Sequence, residues 1–330
     1  MRAYLVRRLL LMIPTLLLVT IIVFGFIRLI PGDIIDLMVA QMNLEGEMGA
    51  SETAEGVRKA LGLDVPVHIQ YVRWLGVMAQ EDGSFSGVIQ GDLGMSLWKS
   101  RSVTEEIFAR VPVTLELGSL AIITGLIIAL PIGVYSAIRQ DTGGDYIGRT
   151  FAILCISVPS FWIGTIIMVY PSILWQWSPP MEYIPLIENP VENFFQFIIP
   201  GFILGMVLSG TTMRMTRTMM LEVLRQDYIR TAWAKGLTER TVVLRHALKN
   251  AMIPVISMIG LLFTYVIAGA VVIEQIFNLP GIGRLLIEAL NKRDYPVICG
   301  INLVLAFLVL IINLGIDLTY GYLDPRVQYK

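Results

Sequence analysis

Few residues of this sequence have the types and spacings that chemistry at a site requires. The two histidines, His68 and His246, and the two cysteines, Cys155 and Cys299, stand far apart, and no CxxC or HExxH motif occurs. Metal sites in proteins usually use histidine and cysteine ligands at close, regular spacings, which these four residues lack. We therefore expect no metal site, no catalytic residue and no disulfide framework.

The sequence also lacks the common motifs for nucleotide binding and nucleophilic catalysis. A P-loop needs a glycine directly before its lysine, so that backbone amides and the ammonium surround the phosphates. None of the six lysines follows a glycine, and no Gly-x-Ser-x-Gly elbow occurs. The sequence therefore predicts a chain that is not an enzyme and binds no cofactor itself. Either energy comes from a partner protein, or the chain forms a passive pore.

The polar stretch with the clearest pattern is DYIRTAWAKGLTERTVVLRHALKNAMIPV, which runs from Asp227 to Val255. Asp227 is a candidate N-cap, Gly236 a candidate helix terminator, and Thr238 a candidate cap for a second amphipathic helix. The pattern predicts two helices along a membrane surface.

The first of these helices has a mixed face. Ile229, Ala232 and Trp233 share one side at helical spacing, whereas Arg230 and Lys235 point elsewhere. A basic amphipathic helix of this kind either lies on anionic lipid or docks another subunit. The residues alone leave both interpretations open.

Composition shows what surrounds this stretch. The chain has 330 residues, of which 55% are hydrophobic and 15% charged, and its mean hydropathy is +0.69. Soluble domains carry about 25% charged residues, and a helix needs about 20 apolar residues to cross a bilayer. We predict an all-α polytopic membrane protein with six transmembrane helices, near residues 9–30, 114–138, 150–175, 194–213, 251–274 and 296–318.

Basic residues predict the orientation of these spans. Fifteen Lys and Arg fall on the side of both termini and of the 214–250 loop, and ten fall on the other side, seven of them in residues 28–110. Short cytoplasmic loops carry the excess of positive charge. We expect cytoplasmic termini, a first helix within residues 1–30, an extracytoplasmic segment at 31–112, and a five-helix core at 113–330 that contains the cytoplasmic loop 214–250.

The external segment is too long for a simple connector. Residues 31–112 contain twelve acidic and six basic side chains, with enough aromatic and aliphatic residues to fold. We predict helices in SETAEGVRKALGLD and VHIQYVRWLGVMAQ and a hairpin in EDGSFSGVIQGDLG. The acidic surface is either simply solvated or a docking site.

The positions of charged residues near the spans indicate whether an ion gradient could drive transport through this chain. Arg28, Glu116, Glu274 and Asp317 all lie at span ends, and no predicted span has a carboxylate near its middle. Ion-coupled carriers place ionisable groups at membrane depth. This argues against a proton relay, although a stand-alone channel or a secondary carrier with backbone-coordinated sodium remains an alternative.

Six motifs in order resemble one family. They are RLIPGD, LGLDVPVHIQYVRWL with GDLGMSLWKSRSVTEEIFARVPVTLEL, SVPSFWIG, DYIRTAWAKGL with LRHALKNAMIPV, PGIGRLLIEALNKRDYPVI, and YGYLDPRVQY. Together they resemble the permease subunits of bacterial ATP-binding cassette (ABC) importers, dipeptide and oligopeptide branch. The Glu-Ala-Ala of the general family is Arg230-Thr231-Ala232 here, as is common in that branch.

The resemblance implies a type I importer permease with an extracytoplasmic insert between helices 1 and 2, in a bacterial or archaeal cell membrane. It implies a dimer with a second permease, which is a heterodimer if the partner is a paralogue; whether the partner is a paralogue or a copy of this chain stays open. It also implies two ATPase subunits that bind ATP and Mg, a substrate-binding protein outside, and peptide cargo; nickel chelates or oligosaccharides are alternatives. The implied ATPase-coupling helix comprises Asp227, Tyr228, Arg230, Thr231, Ala232, Trp233, Ala234, Lys235, Gly236 and Leu237.

The last external connection offers a second candidate site. In PGIGRLL, Pro280, Gly281 and Gly283 either make a tight turn that re-enters the membrane or form an extracytoplasmic gate. The resemblance favours the gate slightly.

Overall fold

The computed structural model describes residues 2–28, 64–80, 83–99, 101–180 and 182–323. Within these ranges the regular structure is helical, and strand-like pairing is limited to one isolated bridge between Met95 and Ser102. The all-α fold class is confirmed. The helices are α1 (Arg2–Ile27), α2 (Val67–Leu75), α3 (Val103–Phe108), α4 (Val111–Ile138), α5 (Gly143–Ser157), α6 (Ser160–Trp175), α7 (Pro190–Leu224), α8 (Asp227–Ala234), α9 (Glu239–Thr241), α10 (Leu248–Ile276), α11 (Ile282–Lys292) and α12 (Tyr295–Leu323).

Five of the helical segments in the described part of the chain are long and apolar enough to cross a membrane, and the number is six if one bent helix pair is counted as a single span. The segments are Val6–Gly25, Val103–Ile138, Pro190–Leu224, Glu239–Ile276 and Tyr295–Thr319. Each contains or overlaps a predicted span. The multi-pass architecture follows from their length and composition.

The third predicted span is wrong as a single helix. Residues 150–175 are divided between α5 and α6, which meet at an angle of 86°. The break falls at Val158, whose backbone is extended, and Pro159, which precedes the first residue of α6. A residue before proline is driven away from helical geometry, so one proline separates the two helices.

Contacts divide the chain into two compact units. The first contains Pro112–Arg284 and the chain from Ile311 onward. Its main core joins α4, α7 and α10 around fully buried side chains that include Leu117, Phe197, Ile203 and Ile273. Side chains of α6 pack against the same cluster. The candidate segments 227–237 and 280–283 both belong to this first unit.

The second unit contains Arg2–Val111 and Leu285–Leu310. In it α2 packs on the end of α1, where the Phe24 ring lies 5.2 Å from Tyr71 and 5.6 Å from Trp74, and the Arg28 guanidinium covers Phe24 at 3.7 Å. The α2 helix confirms the prediction for VHIQYVRWLGVMAQ. The predicted helix at 51–64 lies almost wholly outside the described residues.

Residues 83–99 of the same unit fold without a hairpin. A short 3₁₀ turn at Val88–Gln90 replaces the hairpin in the described part of EDGSFSGVIQGDLG. Farther along, the buried Asp294 carboxylate accepts hydrogen bonds from Ser96 Oγ at 2.6 Å and from Leu97 N at 3.2 Å. This contact, between residues about 200 positions apart, attaches the GDLGMSLWKS motif to the start of α12.

Candidate functional site

The predicted coupling helix exists as α8. It begins at Asp227, so the preceding Gln226, with extended backbone angles, is the N-cap, and the prediction that Asp227 caps the helix is wrong. Asp227 lies instead in the first turn, where its negative charge faces the positive end of the helix dipole.

Gly236 terminates this helix as predicted. Its φ of +74° is left-handed, and its N–H donates to Trp233 O at 2.9 Å. A Cβ built on Gly236 would meet nothing within 4 Å. Backbone conformation and not space is therefore what requires glycine here.

We expect Gly236→Val to destabilise the end of α8 by about 1–2 kcal/mol, the cost of left-handed backbone for a side chain with a Cβ. Gly236→Asn is the matched control, because asparagine tolerates this conformation and Asn278 adopts a φ of 55° in this chain. Proteolysis of the 226–241 region should accelerate in the valine variant only. Equal rates in the two variants would contradict the role of the positive φ.

The inner face of α8 is covered by the chain itself. Ile229 is fully buried and Ala232 is 7% exposed, in a cluster that includes Met220 of α7 and Val242. Two of the three residues that share the apolar side, Ile229 and Ala232, are therefore covered by the chain itself, and only Trp233 remains exposed for lipid or a partner. Helical spacing shows that a face is apolar, but it does not show what covers that face.

The outer face of α8 is open. Trp233 is 46% exposed and Tyr228 44%, and Thr231, Ala234, Lys235 and Leu237 are also exposed. The Tyr228 hydroxyl accepts a 2.8 Å hydrogen bond from Asn250 Nδ2, which orients the ring. Trp233 is thus a large apolar side chain presented outward on a helix whose other side is fixed.

Arg230 adds little to this surface in the isolated chain. Its guanidinium lies 3.4 Å from the Asp227 carboxylate, and both side chains are highly exposed. Exposed pairs of this kind contribute almost nothing to stability. Both charges therefore remain accessible to a partner.

The second predicted surface helix is not a separate element. Thr238 does precede a helical turn, α9, as predicted, but Val242–Ala247 then form a π-helical turn that runs directly into α10. Val242, Val243 and Ala247 are buried beneath α8. The polar stretch is therefore one short helix resting on the beginning of a long one.

The PGIG segment is a tightly packed turn into α11. The Glu274 carboxylate, fully buried, accepts from Thr114 Oγ1 at 2.6 Å and from Arg284 N at 3.1 Å, and Thr114 Oγ1 accepts from Ile282 N at 2.9 Å. Glu274 and Thr114 thereby satisfy backbone donors at the beginning of α11 that the helix cannot satisfy itself. In the sequence Glu274 is only a charge at a span end, and neither this cap nor α11 is predicted.

Close packing leaves no room for a side chain at either glycine of the segment. A Cβ on Gly281 would lie 2.1 Å from Glu274 Cδ, and one on Gly283 would lie 2.4 Å from Val271 Cα. Both glycines are buried and Pro280 is half-buried. This geometry accounts for the glycines as parts of a turn, and the gate role of Pro280, Gly281 and Gly283 stays a prediction.

Family models match nearly the whole chain. Residues 129–329 match the binding-protein-dependent transport system inner membrane component, and residues 1–118 match the N-terminal part of membrane components of such systems. The dipeptide transport system permease protein DppB of Escherichia coli K12 is 37% identical, with 100% of both chains covered. The glutathione transport system permease protein GsiC of Salmonella paratyphi A is 37% identical, with 99% of both covered.

A solved structure supports the fold. An amino acid ABC transporter crystallised with histidines superimposes with a TM-score of 0.51 at 13% identity, over 66% of this chain and 94% of that one. At that identity the likeness concerns the fold alone. Taken with the family models and the full-length relatives, it agrees with an all-helical, multi-pass protein of the inner membrane. The chain belongs to the family of binding-protein-dependent transport system inner membrane components.

Proposed function

We propose that this chain is the translocation subunit of an ATP-driven importer of di- or oligopeptides and forms half of a heterodimeric pore. The observation that carries the proposal is α8, whose inner face is packed into its own protein while Trp233 faces outward. Such a helix passes force from a docked subunit to the spans, because it does not move independently of them. A helix held only by lipid has no need for this fixed inner face.

Relatives support peptide cargo without deciding its length. DppB and GsiC, named for dipeptide and glutathione transport, are equally similar to this chain at 37% identity. Similarity between permease sequences therefore indicates the class of cargo, here peptides, and does not distinguish one peptide from another. The substrate-binding protein would do most of the selecting, and nickel chelates or oligosaccharides are less well supported.

ATP and Mg would be bound by two partner ATPases and not by this chain. The docking surface for them would be the exposed part of Asp227, Tyr228, Arg230, Thr231, Ala232, Trp233, Ala234, Lys235, Gly236 and Leu237. Because Ala232 is almost buried, its contribution would be to hold α8 against α7 and α10.

Transport would follow from closure of the two ATPases on ATP. As the ATPases close, the surface on which α8 is docked would displace α8. The helices packed beneath α8 would then turn from an inward-facing to an outward-facing arrangement. The partner permease would make the matching movement. An external substrate-binding protein would dock on the acidic 31–112 segment and release peptide into the pore.

The proposed topology places both termini and α8 in the cytoplasm and residues 31–112 outside. We expect Ser84→Cys to react with an impermeant thiol reagent added to whole spheroplasts, and Thr238→Cys to react only after lysis. Both positions are exposed, whereas the native Cys155 and Cys299 are 1% and 2% exposed and give little background. Labelling of Thr238→Cys in whole spheroplasts, with Ser84→Cys labelled only after lysis, would show that the proposed topology is inverted.

Reconstitution tests the proposed function directly. The purified chain alone should show no ATP turnover above background, and proteoliposomes should accumulate labelled dipeptide only when the partner permease, both ATPases and the binding protein are present. Peptide uptake by the chain alone, driven by a sodium or proton gradient, would support a secondary carrier instead. Passive equilibration by the chain alone would support a channel.

A further inference from the structure

Asp145 and Arg217, whose side chains are 0% and 18% exposed, form an ion pair outside the docking surface. Arg217 Nε donates to Asp145 Oδ1 at 2.8 Å, and Arg217 Nη2 donates to Oδ2 at 2.7 Å. The Asp145 side chain is fully buried, and the Asp141 backbone N–H also donates to Oδ2 at 3.0 Å. A bidentate pair of this kind has one geometry and holds it more strongly than a single bond.

The pair lies at one end of a close contact between α5 and α7. A Cβ on Gly210 of α7 would lie 2.6 Å from Ala152 O of α5. One turn nearer the pair, a Cβ on Gly148 would lie 3.0 Å from Met213 Cε. Small residues let two membrane helices approach closely in this way.

The same part of α7 supports α8. Met220 follows Arg217 by three residues, is fully buried, and packs in the cluster that contains Ile229 and Ala232 of α8. Only Arg225 and Gln226 separate α7 from α8. A displacement of α8 therefore reaches Arg217 through helix and packed side chains, without a flexible connection.

On the other side of the pair, α5 leads into the sharply bent junction with α6. Asp145 lies in the first turn of α5, and the bend follows the last residue of the same helix, Ser157. The ion pair is thus a charged contact between the helix that supports α8 and the bent helix pair.

We propose that Asp145 and Arg217 are positioning residues that fix the register of α5 against α7, so that the bent α5–α6 pair follows α8. The inference rests on the proposed function, because it concerns how movement of a docked α8 reaches the spans. Sliding α5 along α7 would leave a buried carboxylate and a guanidinium unpaired, which is strongly unfavourable. The pair therefore permits joint movement and opposes relative movement.

The experiment uses the complete importer with the double substitution Asp145→Asn and Arg217→Gln. This variant removes both charges together, keeps side chains that can hydrogen-bond, and avoids leaving one charge buried alone. We expect the complex to assemble and hydrolyse ATP, while the peptide transported per ATP falls about tenfold. The matched control is Arg139→Gln with Glu239→Gln, an exposed pair 3.5 Å apart whose loss should leave this ratio unchanged.

A distance measurement separates positioning from general stability. Spin labels at Ile147 on α5 and at Arg225, in the connection between α7 and α8, both exposed and outside the docking surface, should keep the same separation in nucleotide-free and ATP-trapped complexes of the otherwise wild-type importer. In the double variant the separation should change on ATP trapping. If the double variant does not assemble, the wild-type measurement decides: a separation that changes with ATP would overturn the inference.

The outcomes distinguish this inference from the proposed function. A wild-type complex that transports no peptide with ATP would refute the proposed function itself. A transporting wild-type complex whose double variant has the same transport per ATP would refute only the positioning role of Asp145 and Arg217.

Discussion

Replacing Trp233 with alanine should weaken binding of the ATPase subunits by about 2 kcal/mol, roughly a thirtyfold rise in the dissociation constant. Trp233 is 46% exposed on a helix whose inner residues are already buried in the chain. Its removal therefore takes away contact area for a partner and leaves the packing of α8 intact. Pull-down of the ATPases by the tagged permease measures the change.

The Trp233 experiment has a matched control and a clear alternative. Trp177 is 48% exposed on the proposed opposite side of the membrane, so Trp177→Ala should leave the pull-down unchanged. If α8 instead lies on anionic lipid, the pull-down should survive Trp233→Ala. Arg230→Ala and Lys235→Ala would then reduce membrane function most.

Ile229→Ala should behave differently from Trp233→Ala. Ile229 is fully buried in the cluster under α8, so its truncation leaves a cavity inside the chain. A cost of about 2–4 kcal/mol to the fold is expected. Lower thermal stability of the purified permease, before any partner is added, would separate this effect from loss of docking.

Gly281→Ala should prevent correct folding of the PGIG segment. The added Cβ would lie 2.1 Å from Glu274 Cδ, so the carboxylate must move away from the backbone donors of α11. Overpacking and the lost bonds together should cost about 3 kcal/mol or more. The expected result is little or no monodisperse permease after extraction, measured by fluorescence-detected size exclusion.

Gly143 supplies the control for Gly281. It also lies at the beginning of a helix, α5, but a Cβ there would meet nothing within 4 Å. Gly143→Ala should therefore extract like wild type. A normal yield and melting temperature for Gly281→Ala would show that the turn is loose, as a mobile gate would require.

The cap itself is tested by two substitutions at Glu274. Glu274→Gln keeps an acceptor for the Arg284 N–H and a partner for Thr114, so we expect a small effect. Glu274→Ala leaves both groups without their present partner in a buried site, which costs about 1–3 kcal/mol per group. Equal stability of the two variants would contradict the capping role.

Local pattern in the sequence was sufficient for several features. Long apolar runs predicted the spans, because a backbone in lipid must satisfy its hydrogen bonds within a helix. The helix before Gly236 and its termination were also predictable, since a left-handed residue after a helical pattern is usually glycine. The six ordered motifs indicate the family without any knowledge of the fold.

Other features required the tertiary structure. Asp145 and Arg217 are 72 residues apart, and Glu274 and Thr114 are 160 apart, so no local spacing indicates that they meet. Periodicity showed the apolar side of α8 but not that Met220 and Val242 cover it. The sequence by itself determined which long segments are apolar enough to enter a membrane. Only the packing of helices decided which polar groups are buried together, because those contacts depend on how distant segments approach in space.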